Sequence, residues 1–216
     1  MSLQIECVIL GPLKTNTYLL ESQGQWAVVD PAMGAGGLPA LLQKRGADVS
    51  MILLTHGHGD HIGGVGELKQ VWPRALCYCP AADADMLDDP DRNLSGVFGL
   101  AITSPPADEL LNAPAVLTLG DTTWHVLDTS GHSPGGVSFY NPQEGLVLAG
   151  DSLFYDGIGR TGFRGGDQQR LLRNVRAQLM TLPDETRVLA GHGPETTIGR
   201  ERSKNRFLSE AAADRL

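Results

Sequence analysis

The sequence predicts an α/β fold arranged as a four-layer αββα sandwich. Segments with strand periodicity fall into two blocks, and segments with helical periodicity follow strands in both. The chain has 216 residues, of which 41% are apolar and 19% are charged, so it can bury one substantial core. Two sheets that are each covered by helices on the outside would satisfy these constraints. We therefore expect a single domain spanning residues 1–216.

The first block begins with a β meander. Alternating apolar and polar residues predict a strand over Gln4–Leu10, and a turn follows at Gly11 and Pro12. Similar patterns predict strands over residues 17–20, 26–30, 49–54 and 75–79. Apolar residues at helical spacing predict helices over residues 38–45, 65–71 and 81–87. Strands and helices therefore alternate after the meander.

The second block follows a long segment, residues 88–114, that is rich in Pro, Asp, Asn and Gly. We predict a loop there, with an apolar island at residues 97–100, and long loops in compact domains often act as lids. Strands are predicted over residues 116–119, 124–127, 137–140, 146–148 and 187–190, the first two joined by a Gly120-Asp121 turn. Helices are predicted over residues 168–179 and in a final basic segment.

Charge and composition exclude several classes of partner. The formal net charge is −8 and no Lys/Arg cluster is present, so nucleic acid and anionic membrane surfaces would be repelled. The first ten residues lack the pattern of a secretory signal, and no apolar run approaches the roughly 20 residues of a membrane span. We expect a cytoplasmic protein. Cys7, Cys77 and Cys79 are interpreted as reduced thiols, because a disulfide or separate zinc site would need a further soft ligand nearby.

The sharpest chemical signal follows the apolar strand MILL, where the sequence reads THGHGDHIGG. It places His56, His58, Asp60 and His61 within six residues, with glycines between them that permit tight bends. Imidazole nitrogen and carboxylate oxygen suit zinc, iron or manganese. Four such ligands on one short loop exceed what a single ion can use, so the pattern indicates two ions held side by side.

Further candidate ligands occur where other strands end. His132 lies in SGHSPGG, and two similar strings, LVLAGD and RVLAGH, end in Asp151 and His192. A carboxylate can serve two cations with its two oxygens, so Asp151 is our candidate bridging ligand. A single histidine is more often a hydrogen-bonded structural residue, and we assign His125, within TTWHVL, to that class. The remaining five histidines and two aspartates predict a dinuclear metal centre.

The string THGHGDH resembles the HxHxDH signature of the metallo-β-lactamase superfamily, and the later GH, GD and GH positions follow in that family's order. The resemblance implies the metallo-β-lactamase fold. It also implies that His56, His58 and His132 hold the first metal ion and that Asp60, His61 and His192 hold the second. Asp151 would bridge the two ions.

Three longer strings are similar to glyoxalase II-like (hydroxyacylglutathione hydrolase-like) enzymes: GPLKTNTYLL, GDSLFYDGIGRTGFRGGD and GHGPETTIGRER with NRFL. The chain resembles the short form that lacks the family's C-terminal helical domain, and Gly193-Pro194 stands where the family has a tyrosine. This similarity implies a thioesterase acting on a small acyl thioester such as S-D-lactoylglutathione. Two zinc ions, or iron or manganese, would ionise the attacking water, and Asp60 would also orient that water as a catalytic residue.

Two residues are predicted to contact the substrate. Arg160, in the glycine-rich GIGRTG loop, could bind a substrate carboxylate through its two parallel N–H groups, although it could equally be a solvated surface residue. Phe98, in the apolar island VFGL, could cover the metal cleft or instead pack against the helices.

Other functions share the same ligands. An iron-dependent persulfide dioxygenase would use one metal ion, whereas GHGPETTIG supplies the second set of ligands. Hydrolysis of a lactone or phosphoester stays open. His58 argues against an electron-transferring di-iron protein, and the complete ligand set argues against a non-catalytic metal-binding module. The absence of a secretory pattern argues against a β-lactamase, and the acidic charge argues against an RNA-processing enzyme.

Overall fold

Two six-stranded sheets form the centre of the computed structural model, which describes residues 3–34 and 37–208. The first sheet has the order β1-β2-β3-β4-β5-β6. Its strands are β1 (Gln4–Leu10), β2 (Thr15–Ser22), β3 (Gln25–Val29), β4 (Asp48–Leu53), β5 (Leu76–Pro80) and β6 (Glu109–Leu111). The meander β1 to β3 is antiparallel, and β3 to β6 run parallel to one another.

The second sheet has the order β14-β13-β10-β9-β8-β7. Its strands are β7 (Ala115–Leu119), β8 (Thr122–Asp128), β9 (Val137–Asn141), β10 (Leu146–Gly150), β13 (Arg187–Ala190) and β14 (Thr196–Thr197). Only β10 and β13 pair in parallel, so the ends of these two strands lie at the same edge of the sheet. A separate hairpin, β11 (Leu153–Phe154) and β12 (Gly157–Ile158), follows β10.

Helices cover the outer face of each sheet. The α-helices are α1 (Leu38–Lys44), α2 (Gly59–Ile62), α3 (Val65–Val71), α4 (Gln168–Asn174) and α5 (Ile198–Lys204). The side chains of Asp167 and Thr197 cap α4 and α5 by accepting hydrogen bonds from the backbone N–H groups of Arg170 and Arg200. These caps fix where each helix begins.

Alternation along the strands divides the core into layers. On β2, Leu19 packs in the cluster under α1 and α3, whereas Leu20 points into the cluster between the two sheets. On β13, Leu189 packs between the sheets and Val188 packs under α4 and α5. The predicted αββα sandwich is therefore confirmed.

Several local predictions differ from the structure in helix type or extent. Residues 81–87, predicted as an α-helix, contain a 3₁₀-helix over Ala81–Met86, in which the Leu87 N–H bonds three residues back to Ala84. The predicted loop 88–114 contains a 3₁₀-helix (Ser95–Phe98) and β6. The predicted helix 168–179 is α-helical only to Asn174, and Val175–Leu179 is π-helical. Within residues 3–34 and 37–208, no helix is long and apolar enough to cross a bilayer.

Candidate metal centre

The seven predicted ligand side chains lie together at one edge of the sandwich. His56 comes after β4, His132 lies between β8 and β9, Asp151 follows β10 and His192 follows β13. Three groups of three side chains have ligand atoms within 4.8 Å of one another, a spacing at which one cation could contact all three. One of them, Asp30 with His56 and His61, shares a histidine with each of the other two, which are the two predicted ligand sets. The first group is His56, His58 and His132, and the second group is Asp60, His61 and His192.

In the first group, His58 Nδ1 lies 2.9 Å from His132 Nε2, and the ring of His56 lies edge-on to both neighbours. In the second group, Asp60 Oδ2 lies 3.4 Å from His61 Nε2 and 3.2 Å from His192 Nε2. The two Nε2 atoms of His61 and His192 are 3.3 Å apart. The atoms that could bind a metal ion therefore converge in each group.

Asp151 lies between the two groups. Its Oδ2 is 3.5 Å from His132 Nε2 in the first group and 3.5 Å from His192 Nε2 in the second. Its Oδ1 is 3.5 Å from His61 Nε2. A carboxylate in this position can face two cations at once, and the bridging role of Asp151 stays a prediction.

The remaining ring nitrogens of four histidines are held by oxygen atoms. The Nδ1 atoms of His132 and His192 donate to backbone carbonyls, those of Arg160 (2.7 Å) and Leu13 (3.1 Å). His61 Nδ1 lies 3.0 Å from the Asp30 carboxylate, and His56 Nδ1 lies 3.0 Å from the Thr55 hydroxyl. Such contacts keep the proton on Nδ1 and leave the Nε2 lone pair facing the centre, as metal-binding histidines require.

Several buried polar atoms in the centre have no hydrogen-bond partner. These atoms are His56 Nε2, His58 Nε2 and Asp151 Oδ1. An unpaired buried polar atom costs about 1–3 kcal/mol, so three at one place need an explanation. Cations would compensate the lone pairs of His56 Nε2 and Asp151 Oδ1, whereas His58 faces His132 with Nδ1 rather than with its unpaired Nε2. The residues present therefore fit a dinuclear metal centre.

The two groups differ in their electrostatics. Burial, followed by the neighbouring histidines, lowers the pKa of His56 well below its ordinary value, and burial and His132 do the same for His58. Burial also opposes protonation of His61, but the carboxylates of Asp60, Asp151 and Asp30 outweigh it and raise the His61 pKa to about 10. The first group therefore offers neutral nitrogens, and the second stabilises a positive charge that a metal ion could supply.

Two aspartates that sequence reasoning missed support the ligand loops. Asp30 is 2% exposed. Its Oδ1 accepts a hydrogen bond from the Thr55 N–H, and its Oδ2 accepts one from the Thr55 hydroxyl. Oδ2 also faces the His61 ring. Asp83 is fully buried and accepts hydrogen bonds from the N–H groups of Gly57 and Gly135 and from the Ser133 hydroxyl. Asp83 thus joins the loop of His56 and His58 to the loop of His132.

Gly57 and Gly59 serve a different purpose from the one predicted. Neither is among the positive-φ glycines, so the backbone does not need their conformational freedom. Space is the constraint instead. A β-carbon at Gly57 would lie 2.9 Å from Met86 Cβ, and one at Gly59 would lie 2.8 Å from Ser95 Cβ. Close packing under the loop therefore requires glycine at both positions.

The two predicted substrate-contacting residues, Arg160 and Phe98, are exposed. Arg160 places its carbonyl against His132 and its guanidinium outside. Phe98 is 61% exposed and ends the 3₁₀-helix whose Ser95 packs against Gly59. Phe163, which sequence reasoning did not single out, lies edge-on to the rings of His58 and His132, with 5.3 Å between centroids in each case.

Phe163 could have been noticed as the only aromatic residue of the GIGRTGFRGG segment. His125 lies on β8 beside Tyr140, with 6.4 Å between the ring centroids, and belongs to neither ligand group. Its structural role stays a prediction.

Known proteins similar to this chain include metallo-hydrolases. "Probable metallo-hydrolase YqgX" of Bacillus subtilis (strain 168) is 39% identical over 201 residues, which cover 93% of this chain and 95% of that protein. "Hydroxyacylglutathione hydrolase GloC" of Haemophilus influenzae (strain ATCC 51907 / DSM 11121 / KW20 / Rd) is 31% identical over 210 residues, which cover 96% of this chain and 99% of that protein.

Solved structures agree with this relationship. The crystal structure of BLEG-1 B3 metallo-β-lactamase superposes with a TM-score of 0.91 at 39% identity, covering 95% of this chain and all (100%) of that chain. The structure of TTHA1623 in a di-iron-bound form has a TM-score of 0.85 at 37% identity, covering 94% of this chain and 100% of that chain. The family profile described as "Metallo-beta-lactamase superfamily" matches residues 10–192. The predicted metallo-β-lactamase fold is confirmed, and the chain belongs to the metallo-β-lactamase superfamily.

Proposed function

We propose that this protein is a dinuclear metal-dependent thioesterase of the glyoxalase II-like branch, with S-D-lactoylglutathione as its representative substrate. The observation that carries the hydrolase proposal is the convergence of seven imidazole and carboxylate groups, three of whose buried atoms have no hydrogen-bond partner. The thioester proposal rests on similarity to the glyoxalase II-like strings in the sequence. It is supported by 31% identity to a relative named as a hydroxyacylglutathione hydrolase.

The first group would hold one metal ion, the second group the other, and Asp151 would contact both. Zinc is our first choice, although iron and manganese accept the same donors and the similar TTHA1623 was solved with two irons. When bound, such a pair lowers the pKa of water towards about 7 and polarises a carbonyl group. The chain itself therefore needs no serine or cysteine nucleophile.

The remaining chemistry would depend on the position of Asp60. Its carboxylate lies against His61 and His192 and is partly exposed, so one oxygen can face an ion while the other accepts a hydrogen bond from the attacking water. Attack on the thioester carbonyl breaks the carbon–sulfur bond. A thiol has a pKa near 8.5, so the thiolate can leave without a protein acid to protonate it.

Substrate contacts would come from the exposed residues around the centre. Phe163 covers the edges of His58 and His132 and would exclude water from one side of the reacting carbonyl. The exposed guanidinium of Arg160 would bind a substrate carboxylate through two parallel hydrogen bonds. Phe98 would contact the apolar part of the substrate from the 3₁₀-helix beside Gly59.

A second candidate function is hydrolysis of a β-lactam amide. It is favoured by 39% identity to BLEG-1, which is described as a B3 metallo-β-lactamase. The same ligands would serve both reactions, because each begins with attack of water on a carbonyl carbon. The leaving group differs, since an amine must be protonated as it departs and a thiolate need not be.

The experiment compares substrates on one metal-loaded preparation. Hydrolysis of S-D-lactoylglutathione, hydrolysis of a chromogenic cephalosporin, and oxygen uptake with glutathione persulfide are measured in parallel. The ligand variant His56→Ala should lose at least about 10²–10³-fold in kcat/KM for the thioester, since metal-ion stabilisation is worth several kcal/mol. The matched variant His125→Ala removes a histidine outside both ligand groups and should retain the parent rate.

Thioester turnover no faster than that of His56→Ala would refute the thioesterase proposal. A higher kcat/KM for the cephalosporin would favour the second candidate, and oxygen uptake with one iron per chain would indicate a persulfide dioxygenase. The role of Arg160 has its own test. Arg160→Ala should raise KM for the carboxylated thioester about tenfold and leave KM for a neutral acyl thioester unchanged, because only the carboxylate contact is lost.

A further inference from the structure

Residues 13–16, which include the start of β2, contact the second ligand group directly. It belongs to the string GPLKTNTYLL, to which the proposed reaction assigns no role. Thr15 is fully buried, and its hydroxyl donates a 3.0 Å hydrogen bond to Asp60 Oδ2 across 45 positions of sequence. The Leu13 carbonyl, two residues earlier, accepts the hydrogen bond from His192 Nδ1. Two of the three ligands in the second group are thus oriented by this segment.

Asn16 attaches the same segment to the turn that carries His192. Its side-chain amide donates to the carbonyls of Ala190 and Gly193, both at 2.9 Å, and these residues flank His192 in sequence. Its backbone N–H donates to Gly191 at 2.7 Å. With 3% exposure, Asn16 holds this turn from inside the protein. The hydroxyl of Thr15 is therefore held in a fixed position relative to the second group.

The proton positions in the second group single out Thr15 as the donor on which Asp60 depends. Asp60 Oδ2 has three neighbours that could donate: His61 Nε2, His192 Nε2 and the Thr15 hydroxyl. In their neutral forms both histidines carry the proton on Nδ1, because those atoms face the Asp30 carboxylate and the Leu13 carbonyl. Their Nε2 atoms then bear lone pairs that face a cation and cannot donate to Asp60. With both histidines neutral, as metal binding requires, the Thr15 hydroxyl is the donor that remains.

We propose that Thr15 is a positioning residue for the second metal ion, fixing the carboxylate of Asp60 in the orientation that binding needs. This inference rests on the proposed dinuclear centre. The first group has different supports, since His132 is oriented by the Arg160 carbonyl and His56 by Thr55. Loss of the Thr15 hydroxyl therefore weakens binding of the second ion alone. Partners that orient a metal ligand typically contribute about 10–100-fold in metal affinity.

The test uses the full chain, stripped of metal and titrated with Zn²⁺ against a chromogenic chelator, so that the readout is affinity and stoichiometry independently of catalysis. Thr15→Val keeps the size and branching of the side chain and removes the hydroxyl, which suits a strand position. Thr15→Ala removes the hydroxyl with less crowding and serves if the valine variant does not fold. Thr15→Ser restores the hydroxyl. Thr122→Val removes another buried hydroxyl, which donates to the Leu119 carbonyl and accepts from Trp124 Nε1 and belongs to neither ligand group.

We expect the second ion to bind about 10–100-fold more weakly in Thr15→Val and Thr15→Ala, while the first ion keeps its affinity within about twofold. Thr15→Ser and Thr122→Val should bind both ions like the parent. Equal weakening of both ions, unchanged binding in Thr15→Ala, or a Thr15→Ser variant as weak as Thr15→Ala would overturn the inference. A parent that binds fewer than two zinc ions would instead refute the dinuclear centre itself.

Discussion

Replacing Asp30 with asparagine should impair metal binding at His61 while preserving the fold around it. Asp30 has a positive φ of 49°, a conformation that asparagine tolerates well, so the exchange adds no backbone strain. Its carboxylate accepts hydrogen bonds from the N–H and the hydroxyl of Thr55 and faces His61 Nδ1. In the variant, an amide NH₂ in the position of Oδ2 would oppose the proton on His61 Nδ1. That proton would move to Nε2, the nitrogen that faces the metal centre.

The magnitude follows from the bond that is lost. A hydrogen bond to a charged group contributes about 1.5–3 kcal/mol, and each 1.4 kcal/mol changes an equilibrium constant tenfold. We therefore expect Zn²⁺ affinity at the second group to fall about 10–150-fold in Asp30→Asn. The Thr55 hydroxyl can rotate to accept from the amide, so its contribution to the loss is small.

Competition with a chromogenic chelator measures this loss directly. Asp128→Asn is the matched control, because Asp128 Oδ1 also accepts three hydrogen bonds, from the Ser130 N–H, the Ser130 hydroxyl and the Asn174 amide, without contacting a ligand histidine. Parent-like binding of both ions in Asp30→Asn would refute the tautomer argument. Equal losses in the two variants would attribute the effect to general destabilisation.

Three further outcomes are expected. Gly191→Ala should lower Zn²⁺ affinity by roughly tenfold or more in the same chelator assay, because the added β-carbon would lie 2.2 Å from Asp151 Oδ1. Affinity equal to that of the parent would contradict this steric argument. A disulfide reagent at pH 8 should modify the exposed Cys7 in the native protein and leave Cys77 and Cys79 unmodified until the protein unfolds. Burial raises the pKa of Cys77 to about 12 and also raises the pKa of Cys79. Rapid reaction of all three thiols would contradict this expectation. Adding Zn²⁺ at about 100 times its dissociation constant should raise the free energy of unfolding by about 2.7 kcal/mol, which raises Tm by about 5–11 °C for a chain of this size. An unchanged Tm in calorimetry would contradict specific binding to the folded state.

The candidate ligands could be picked out of the sequence because each one follows a local pattern. His56, Asp151 and His192 come within three residues of the end of an apolar strand, so both the strand and its end are visible in a short window. The supports could not be found in this way. Asp30 acts on partners 25 and 31 positions away, and Asp83 acts on partners 26, 50 and 52 positions away. Pairing of β3 with β4 brings Asp30 to Thr55, and packing of the two sheets brings Asp83 to Ser133 and Gly135.

Helix type was also beyond local periodicity. Apolar spacing over residues 168–179 predicts one helix correctly, yet the N–H of Met180 bonds five residues back to Val175, which makes the last turn a π-helix. The short strand β6 was hidden within a polar segment, because three residues that pair with β5 carry too little pattern to stand out. Tertiary pairing decided both features.

The candidate ligands of the second group, together with Asp151, come from both halves of the sandwich, and this has a mechanical consequence. Asp60 and His61 follow β4 of the first sheet, whereas His192 and Asp151 follow β13 and β10 of the second. A cation shared by these side chains would act as a removable cross-link between the two sheets, in addition to their apolar contacts and the hydrogen bonds of Asn16. Chelation would therefore release that edge of the sandwich first, and hydrogen exchange should quicken there before the interior opens.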